Sequence, residues 1–221
     1  MFIFTFLFFI LSIFVIVQAA PNSNITLSIV PGVLQTDIMD NNKVPVSAPT
    51  VALGNKNFSF DCQNGSNSAT GNLGTNTQRV YVINPHAANN GWTLTIAATG
   101  SPTALWQNTS ATQFFDFNDP TSSGCTDGSD ADSRAGQLTI DPSVATITTD
   151  CLSCTLSGIS LGSSASFNQG VTDSITLINA AAISDDAWRG YATGIGLSQT
   201  IPAEQAVDNY YINMTLTVTA I

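Results

Sequence analysis

Basic residues are scarce in this sequence. It has five Lys and Arg against 15 Asp and Glu, for a formal net charge of −10 at pH 7. Only 9% of its residues are charged, whereas roughly 25% is usual for a soluble domain. An acidic chain repels the phosphates of nucleic acids and of anionic lipid headgroups. The composition therefore argues against nucleic acid and membrane surfaces as partners, and it favours divalent cations.

Residues for the common catalytic sites are also few. His86 is the one His, and Glu204 is the one Glu. The segment "GISLG" (158–162) matches the G-x-S-x-G pattern, with Ser160 in the nucleophile position. That pattern requires a strand–turn–helix context and a His downstream of the Ser. Here the flanks alternate as strands do and His86 lies upstream, so the sequence predicts a protein that is not an enzyme.

After the first 20 residues, the chain has no long apolar run. Residues 1–17 carry no charge and are apolar except for Thr5 and Ser12, and "QAAP" follows them. Val17 and Ala19 satisfy the small-residue rule at −3 and −1 of a secretory cleavage site. We therefore predict a signal peptide over residues 1–20 and a single extracellular domain over 21–221. Because the run is close to the shortest length that spans a bilayer, a retained N-terminal anchor is the alternative.

Cysteines number four: Cys62, Cys125, Cys151 and Cys154. An even number in an exported chain predicts two structural disulfides. Three pairings are open, because Cys151 and Cys154 can bond to each other or each can reach back to one of the earlier two. A zinc site is not favoured, since it needs a second pair of ligands at suitable spacing.

Helical periodicity is nearly absent, and alternation of apolar and polar residues dominates. At most one short helical turn is expected, in residues 179–192, and residues 65–78 are predicted to be a loop. Many short alternating segments separated by turn residues predict an all-β fold, an antiparallel β-sandwich. The predicted strands are 25–30, 58–62, 79–84, 92–98, 113–118, 137–141, 158–167, 173–179, 194–202 and 210–219.

Aspartates are concentrated in residues 115–133, "FDFNDPTSSGCTDGSDADS". Calcium takes six to eight oxygen ligands from carboxylates, amides and carbonyls. The spacing of this stretch differs from an EF-hand loop, because Arg134 stands where that loop needs an acid or amide. We predict a calcium site here, and the alternative is a solvated acidic loop that Arg134 partly neutralises. The predicted ligands are Asp116, Asn118, Asp119, Asp127, Asp130 and Asp132.

Two segments resemble the WxL domain of bacterial cell-surface proteins. They are "GWTLTIAATG" (91–100) and "TIPAEQAVDNYYINMTLTVTA" (200–220). The resemblance implies a secreted, β-rich protein that associates noncovalently with the Gram-positive cell wall through peptidoglycan. The first motif of that family maps onto Trp92 and Leu94. At the second, Leu216 is kept and Met214 stands in the place of the Trp.

The expected function is therefore that of a secreted, noncatalytic, calcium-stabilised protein of the cell surface or cell wall. Its partner would be peptidoglycan or another surface glycan, bound through Trp92, Leu94 and Trp106. The alternative for the Trp residues is a place in the core, where most Trp side chains of a sandwich lie. One alternative is a structural subunit of a filament or surface layer, because low charge and edge strands suit self-association by strand addition. Another is a secreted carbohydrate-binding module, which requires a Trp exposed in a cleft beside polar side chains.

Overall fold

The computed structural model describes residues 27–86, 90–128 and 130–221. Regular structure in these residues is almost entirely β. Four 3-10 helices of three residues each join some of the strands: Gly65–Asn67, Ser101–Thr103, Thr121–Ser123 and Pro142–Val144. The strands are β1 Gln35–Met39, β2 Ala69–Leu73, β3 Arg79–Asn84, β4 Trp92–Ala98, β5 Trp106–Asn108, β6 Phe114–Phe115, β7 Gln137–Asp141, β8 Thr146–Thr149, β9 Ile159–Leu161, β10 Ala165–Ser166, β11 Ser174–Ala180, β12 Trp188–Thr193, β13 Ile195–Thr200, β14 Tyr210–Tyr211 and β15 Met214–Ala220.

The strands form four sheets, and every pairing between named strands is antiparallel. Their orders are β1-β3-β12-β8, β10-β7-β13-β2, β15-β4-β11-β9 and β14-β5-β6. The predicted all-β, antiparallel sandwich class is confirmed. The predicted strand bounds agree with the structure at β3, β4 and β7. Residues 210–219 and 158–167, each predicted as one strand, contain two strands each.

Other segments differ from the prediction. Residues 179–192, where at most one helical turn was expected, contain no helix; β11 ends there and β12 begins. In β12, Trp188, Gly190 and Ala192 are buried, so the alternation is present but is hidden by a Gly and an Ala. Residues 65–78, predicted as a loop, contain β2. Gly71 lets the carbonyl of Ala52 approach β2 closely, since an added Cβ would lie 2.6 Å from that oxygen.

Two predicted strands near the start of the chain do not form in the residues that the structure describes. Residues 27–30 and 58–62 have no strand assignment; residues 25 and 26 lie outside the described part. The 58–62 segment is exposed at Phe58 and Phe60. Alternation alone was therefore insufficient where no neighbouring strand supplies backbone hydrogen bonds.

One hydrophobic core is enclosed by the sheets. The side chains of β4 alternate between buried and partly exposed along its whole length. Trp92 of β4 packs against Trp188 of β12, with ring centroids 5.4 Å apart. Such a pattern buries one face of each strand and leaves loops outside to carry function. The remaining fully buried large apolar residues are Tyr81, Leu94, Phe117, Leu138, Ile140, Phe167, Leu177, Ile178 and Ile195.

The two predicted disulfides are confirmed, and the pairing is settled. Cys62 bonds to Cys125, with Cα atoms 5.6 Å apart, and Cys151 bonds to Cys154, with Cα atoms 5.4 Å apart. The first joins residues 63 positions apart, and the second joins residues only three apart.

Residues 31–221 form one compact unit. The described residues before this unit, 27–30, have no regular secondary structure. The predicted signal peptide lies outside the described residues. In the described part of the chain, no helix combines the length and apolarity needed to cross a bilayer.

Candidate functional site

Three of the predicted calcium ligands lie together. One carboxylate oxygen of each of Asp116, Asp130 and Asp132 lies within 4.8 Å of the other two. Asp116 directly follows β6, whereas Asp130 and Asp132 belong to the loop that leads into β7. The three side chains line one cavity of about 260 Å³, here named the aspartate cavity. Its other lining residues are Pro102, Thr103, Ala104, Leu105, Ala131, Arg134 and Gln169.

Asp116 is the buried member, with 1% of its surface exposed. Its Oδ1 accepts hydrogen bonds from the backbone N–H groups of Phe117 (2.6 Å) and Asn118 (3.2 Å). Its Oδ2 is buried, and no described residue donates to it. Burial raises the pKa of Asp116 to about 7, and the nearby negative charges of Asp132 and Asp130 add to that rise. The two hydrogen bonds to Oδ1 oppose the rise, whereas an ionised Oδ2 has no described donor to replace its lost hydration.

Two consecutive Asx turns present the other two carboxylates. Asp130 Oδ1 accepts from the N–H of Asp132 (3.0 Å), and Asp132 Oδ1 accepts from the N–H of Arg134 (2.8 Å). Burial, and next the negative charge of Asp130, raise the pKa of Asp132. The Arg134 guanidinium is 4.0 Å from Asp132 Oδ2 and lies over the ring of Phe114. The local turns therefore hold two like charges side by side.

The other three predicted ligands have different positions. Asp119 Oδ1 accepts from the N–H of Thr121, and its Oδ2 accepts from the N–H of Gly128. The Asn118 amide nitrogen donates to the Pro102 carbonyl at 2.8 Å, and Asn118 does not line the cavity. Asp127 is exposed outside the triad. The structure therefore does not bring these three into the triad: Asp119 and Asn118 brace the loop and its neighbours, and Asp127 is exposed.

Pro102 and Gln169 were missed by the sequence analysis. With its nitrogen facing them, the Gln169 amide reaches Asp130 Oδ2 at 2.5 Å and the Pro102 carbonyl at 3.3 Å. Both residues are distant from the acidic stretch in sequence. No local pattern marks them, since a Pro carbonyl and a single Gln are common in any turn.

A larger cleft, of about 560 Å³, lies beside β5, β6 and β14; it is here named the Trp106 cleft. Trp106 is partly exposed and stacks on Phe115 (centroids 5.7 Å apart), which meets Tyr210 edge-on (5.0 Å). The Trp106 Nε1–H donates to Gln199 Oε1 at 2.8 Å. Asp208 and Asn209 also line the cleft. A hydrogen bond from Asn108 to Asp208 lowers the pKa of that carboxyl.

Trp92 and Leu94 have no exposed surface. They belong to the core, where Trp92 packs on Trp188. They cannot contact a glycan in this structure, so their predicted binding role is corrected to a packing role. Trp106 is the one predicted binding residue of the three that reaches a cleft in the described structure.

Gln199 connects the two regions. It is 1% exposed, and its Nε2 donates to the backbone carbonyl of Asp116 at 3.1 Å. Its Oε1 holds the Trp106 indole, as described above. Asp116 of the aspartate cavity is thus linked to the Trp106 ring of the cleft through the buried amide of Gln199.

No protein-family model, curated protein or solved structure matches this chain. The resemblance to the WxL domain therefore stays a prediction. Ser160 lies in the middle of β9, and its hydroxyl donates to the Asn179 carbonyl at 3.4 Å. That setting is a strand and not the strand–turn–helix context that the G-x-S-x-G pattern requires.

Proposed function

We propose that this chain is an exported, noncatalytic protein of the cell surface that binds a wall or surface glycan in the Trp106 cleft. The observation that carries the proposal is the partly exposed Trp106 ring, fixed in place by Phe115 and Gln199. An aromatic face that is already held in position offers apolar contact area with little further loss of conformational entropy.

Polar groups around the ring match the second requirement of a sugar site. Asp208, Asn209 and Gln205 line the same cleft and supply carboxylate and amide groups for hydroxyls. A cleft of about 560 Å³ lies within the roughly 300–1,000 Å³ range of ligand pockets. The net charge of −10 disfavours phosphate-rich polymers, so a glycan without phosphate groups, such as peptidoglycan, is the preferred partner.

Disulfides support the exported location. Structural disulfides persist in oxidising compartments and are rare in reducing ones. Together with the apolar run of residues 1–17, they favour secretion to the cell surface. The WxL-like segment 91–100 then contributes through the core, because Trp92 and Leu94 hold β4 in place.

Co-sedimentation with purified peptidoglycan sacculi tests this function. The wild-type chain should pellet with sacculi, and Trp106→Ala should weaken binding up to about tenfold through loss of the stacking surface. Tyr211→Ala is the matched control, because Tyr211 follows Tyr210 in β14 but lies outside the cleft lining. Trp106→Phe keeps an aromatic ring and should bind with intermediate strength.

Two outcomes would overturn the proposal. One is a wild-type chain that stays in the supernatant with sacculi and with other wall glycans. The other is a Tyr211→Ala variant that loses as much binding as Trp106→Ala while both retain the circular dichroism spectrum of the wild type.

Self-assembly by strand addition is a second candidate, favoured by exposed apolar residues before β1. Leu27, Ile29 and Val33 are 84%, 87% and 78% exposed. In the described structure β15 lies at a sheet edge, where Thr217 is exposed. Light scattering that rises with concentration would support assembly. Thr217→Lys should abolish it, because a Lys on an edge strand opposes pairing.

Thr176→Lys is the control for that experiment, since Thr176 is exposed on the central strand β11 of the same sheet. Scattering that does not depend on concentration in the wild-type chain excludes assembly. Equal loss in both Lys variants would assign the effect to charge rather than to the strand edge.

A further inference from the structure

The aspartate cavity holds more negative charge than the groups around it balance. Three carboxylates converge within 4.8 Å. Among the described residues, Arg134 is the one basic side chain that pairs with them, and its nitrogen is 4.0 Å from Asp132 alone. Like charges at this separation repel, and the repulsion grows as water is excluded. The arrangement needs either a proton or a cation between the carboxylates.

The atoms in the cavity that are candidate ligands for a cation are all oxygens. Asp116 Oδ1 already accepts two N–H groups, so the buried Oδ2 is the atom that remains without a described donor. The Gln169 amide reaches both Asp130 and the Pro102 carbonyl. Carboxylate, amide and carbonyl oxygens suit hard cations, whereas zinc favours imidazole and thiolate ligands.

We propose that the aspartate cavity is a calcium site, with Asp116, Asp130 and Asp132 as its charged ligands. When the ion binds, the Gln169 amide rotates, so that its oxygen faces the ion in place of the nitrogen that otherwise donates to Asp130 and Pro102. The Pro102 carbonyl together with water completes the shell. The ion then joins the end of β6 to the loop before β7 and to two distant turns. This site does not depend on glycan binding, because its ligands do not line the Trp106 cleft.

Calcium fits better than magnesium. Magnesium requires a near-ideal octahedron of short bonds and keeps most of its water, whereas calcium accepts irregular shells of six to eight oxygens. The ligands here come from four separate chain segments. Extracellular calcium modules bind with dissociation constants of about 0.1–1 mM, and we expect this site in that range.

Thermal unfolding of the purified chain tests the site directly. At pH 8, the melting temperature in excess calcium should exceed that in chelator by several degrees, and the rise should saturate, because calcium binds only the folded state. Magnesium should raise it less. Sodium chloride at matched ionic strength should not reproduce the rise. Terbium luminescence excited through Trp should appear on titration and should be displaced by calcium.

Variants of the loop identify the ligands. Asp132→Asn and Asp130→Asn should each weaken the calcium midpoint at least about tenfold, since each removes one charged ligand. Both keep Oδ1, which accepts the N–H of the turn. Asp127→Asn is the matched control, because it removes the same charge from an exposed position of the same loop.

The proposal fails if calcium and chelator give the same melting temperature and terbium shows no Trp-excited emission. It also fails if Asp127→Asn weakens the calcium midpoint as much as Asp132→Asn does. The rise in melting temperature would then come from general screening of the negative charges and not from a bound ion. Should Asp130→Asn unfold, the terbium titration of Asp132→Asn decides the matter alone.

Discussion

The aspartate cavity and the Trp106 cleft, which Gln199 connects, differ in how far their polar groups are already hydrogen-bonded. In the cleft, the partly exposed ring and its polar neighbours already have partners: Trp106 donates to Gln199, and Tyr210 both accepts from Gln205 and donates to Ala206. In the cavity, Asp116 is buried with one oxygen that no described residue satisfies. The cleft is organised before any ligand arrives, whereas the cavity is incomplete without a cation or a proton.

Because the cleft is organised and the cavity is not, ligand binding should affect the two regions differently. A ligand of the cleft gains affinity from pre-organisation and need change the fold little. A ligand of the cavity relieves electrostatic repulsion inside the fold, so it changes stability first. Calcium should therefore act mainly on the melting temperature, and a glycan mainly on the fraction bound.

The disulfide that ties the two regions carries the largest expected effect. Cys62 precedes Gln63 of the cleft lining, and Cys125 belongs to the acidic loop. A bond closing 63 residues is worth about 4 kcal/mol by loop entropy, and one closing three residues about 2 kcal/mol. We expect the double Cys62→Ser, Cys125→Ser variant to lose about twice the free energy of unfolding lost by Cys151→Ser, Cys154→Ser.

Urea denaturation of the two double variants without reductant measures this ratio. The first variant should also respond less to calcium, because Cys125 tethers the loop that carries Asp130 and Asp132. Equal losses of free energy in the two variants would show that the longer loop is restrained by other contacts.

The pH dependence of stability comes next in size, and it distinguishes a proton from a cation in the cavity. The pKa of Asp116 is raised from 3.8 to about 7 in the folded chain, so between these values the folded state keeps a proton that the unfolded state loses. This contribution is complete below about pH 4 and is lost as pH rises through 7. At about 1.4 kcal/mol per pKa unit it amounts to a few kcal/mol.

Melting temperatures in chelator from pH 4 to pH 8 measure the effect, with Asp116→Asn as the reference. Asp130, Asp132 and Arg134 face the same cavity and stay in both chains, so the difference between the two curves belongs to Asp116. The wild-type chain should lose more stability on going to pH 8 than the variant does. Parallel curves would mean that Asp116 is ionised throughout.

Sequence patterns predicted the cavity far better than the cleft. Asp130 and Asp132 are close in sequence and form successive Asx turns, which is local chemistry. Asp116 is 14 positions from Asp130, still within the same stretch. The cleft instead joins residues 51–63, Trp106, Phe115 and 199–210. Its assembly depends on strand pairing between distant segments, and no single segment carries that information.

The lack of information on distant contacts also explains why Trp92 was predicted to bind a glycan although it lies in the core. A Trp in an alternating strand faces either the core or solvent, and the sequence does not say which face is covered. Packing against another sheet, where Trp92 meets Trp188 of β12, buries the face of β4 that carries Trp92 and Leu94. The class of fold follows from alternation, whereas the binding surface follows from which faces the sheets cover.

Coupling between the two regions should be the smallest effect, and it passes through Gln199. The backbone carbonyl of Asp116 accepts from Gln199 Nε2, and Gln199 Oε1 accepts from the Trp106 indole. If calcium fixes Asp116, it also restrains this amide, so glycan affinity should rise about two- to fivefold in calcium. Glycan titrations in calcium and in chelator measure the ratio.

Gln199→Leu breaks the link and leaves the charged ligands of the cavity unchanged. The variant should keep its calcium-dependent rise in melting temperature and lose the calcium dependence of glycan binding. Its glycan affinity should then be equal in calcium and in chelator. A wild-type ratio that survives in Gln199→Leu would mean that the cation acts on the cleft by another route, such as the loop held by the Cys62–Cys125 bond.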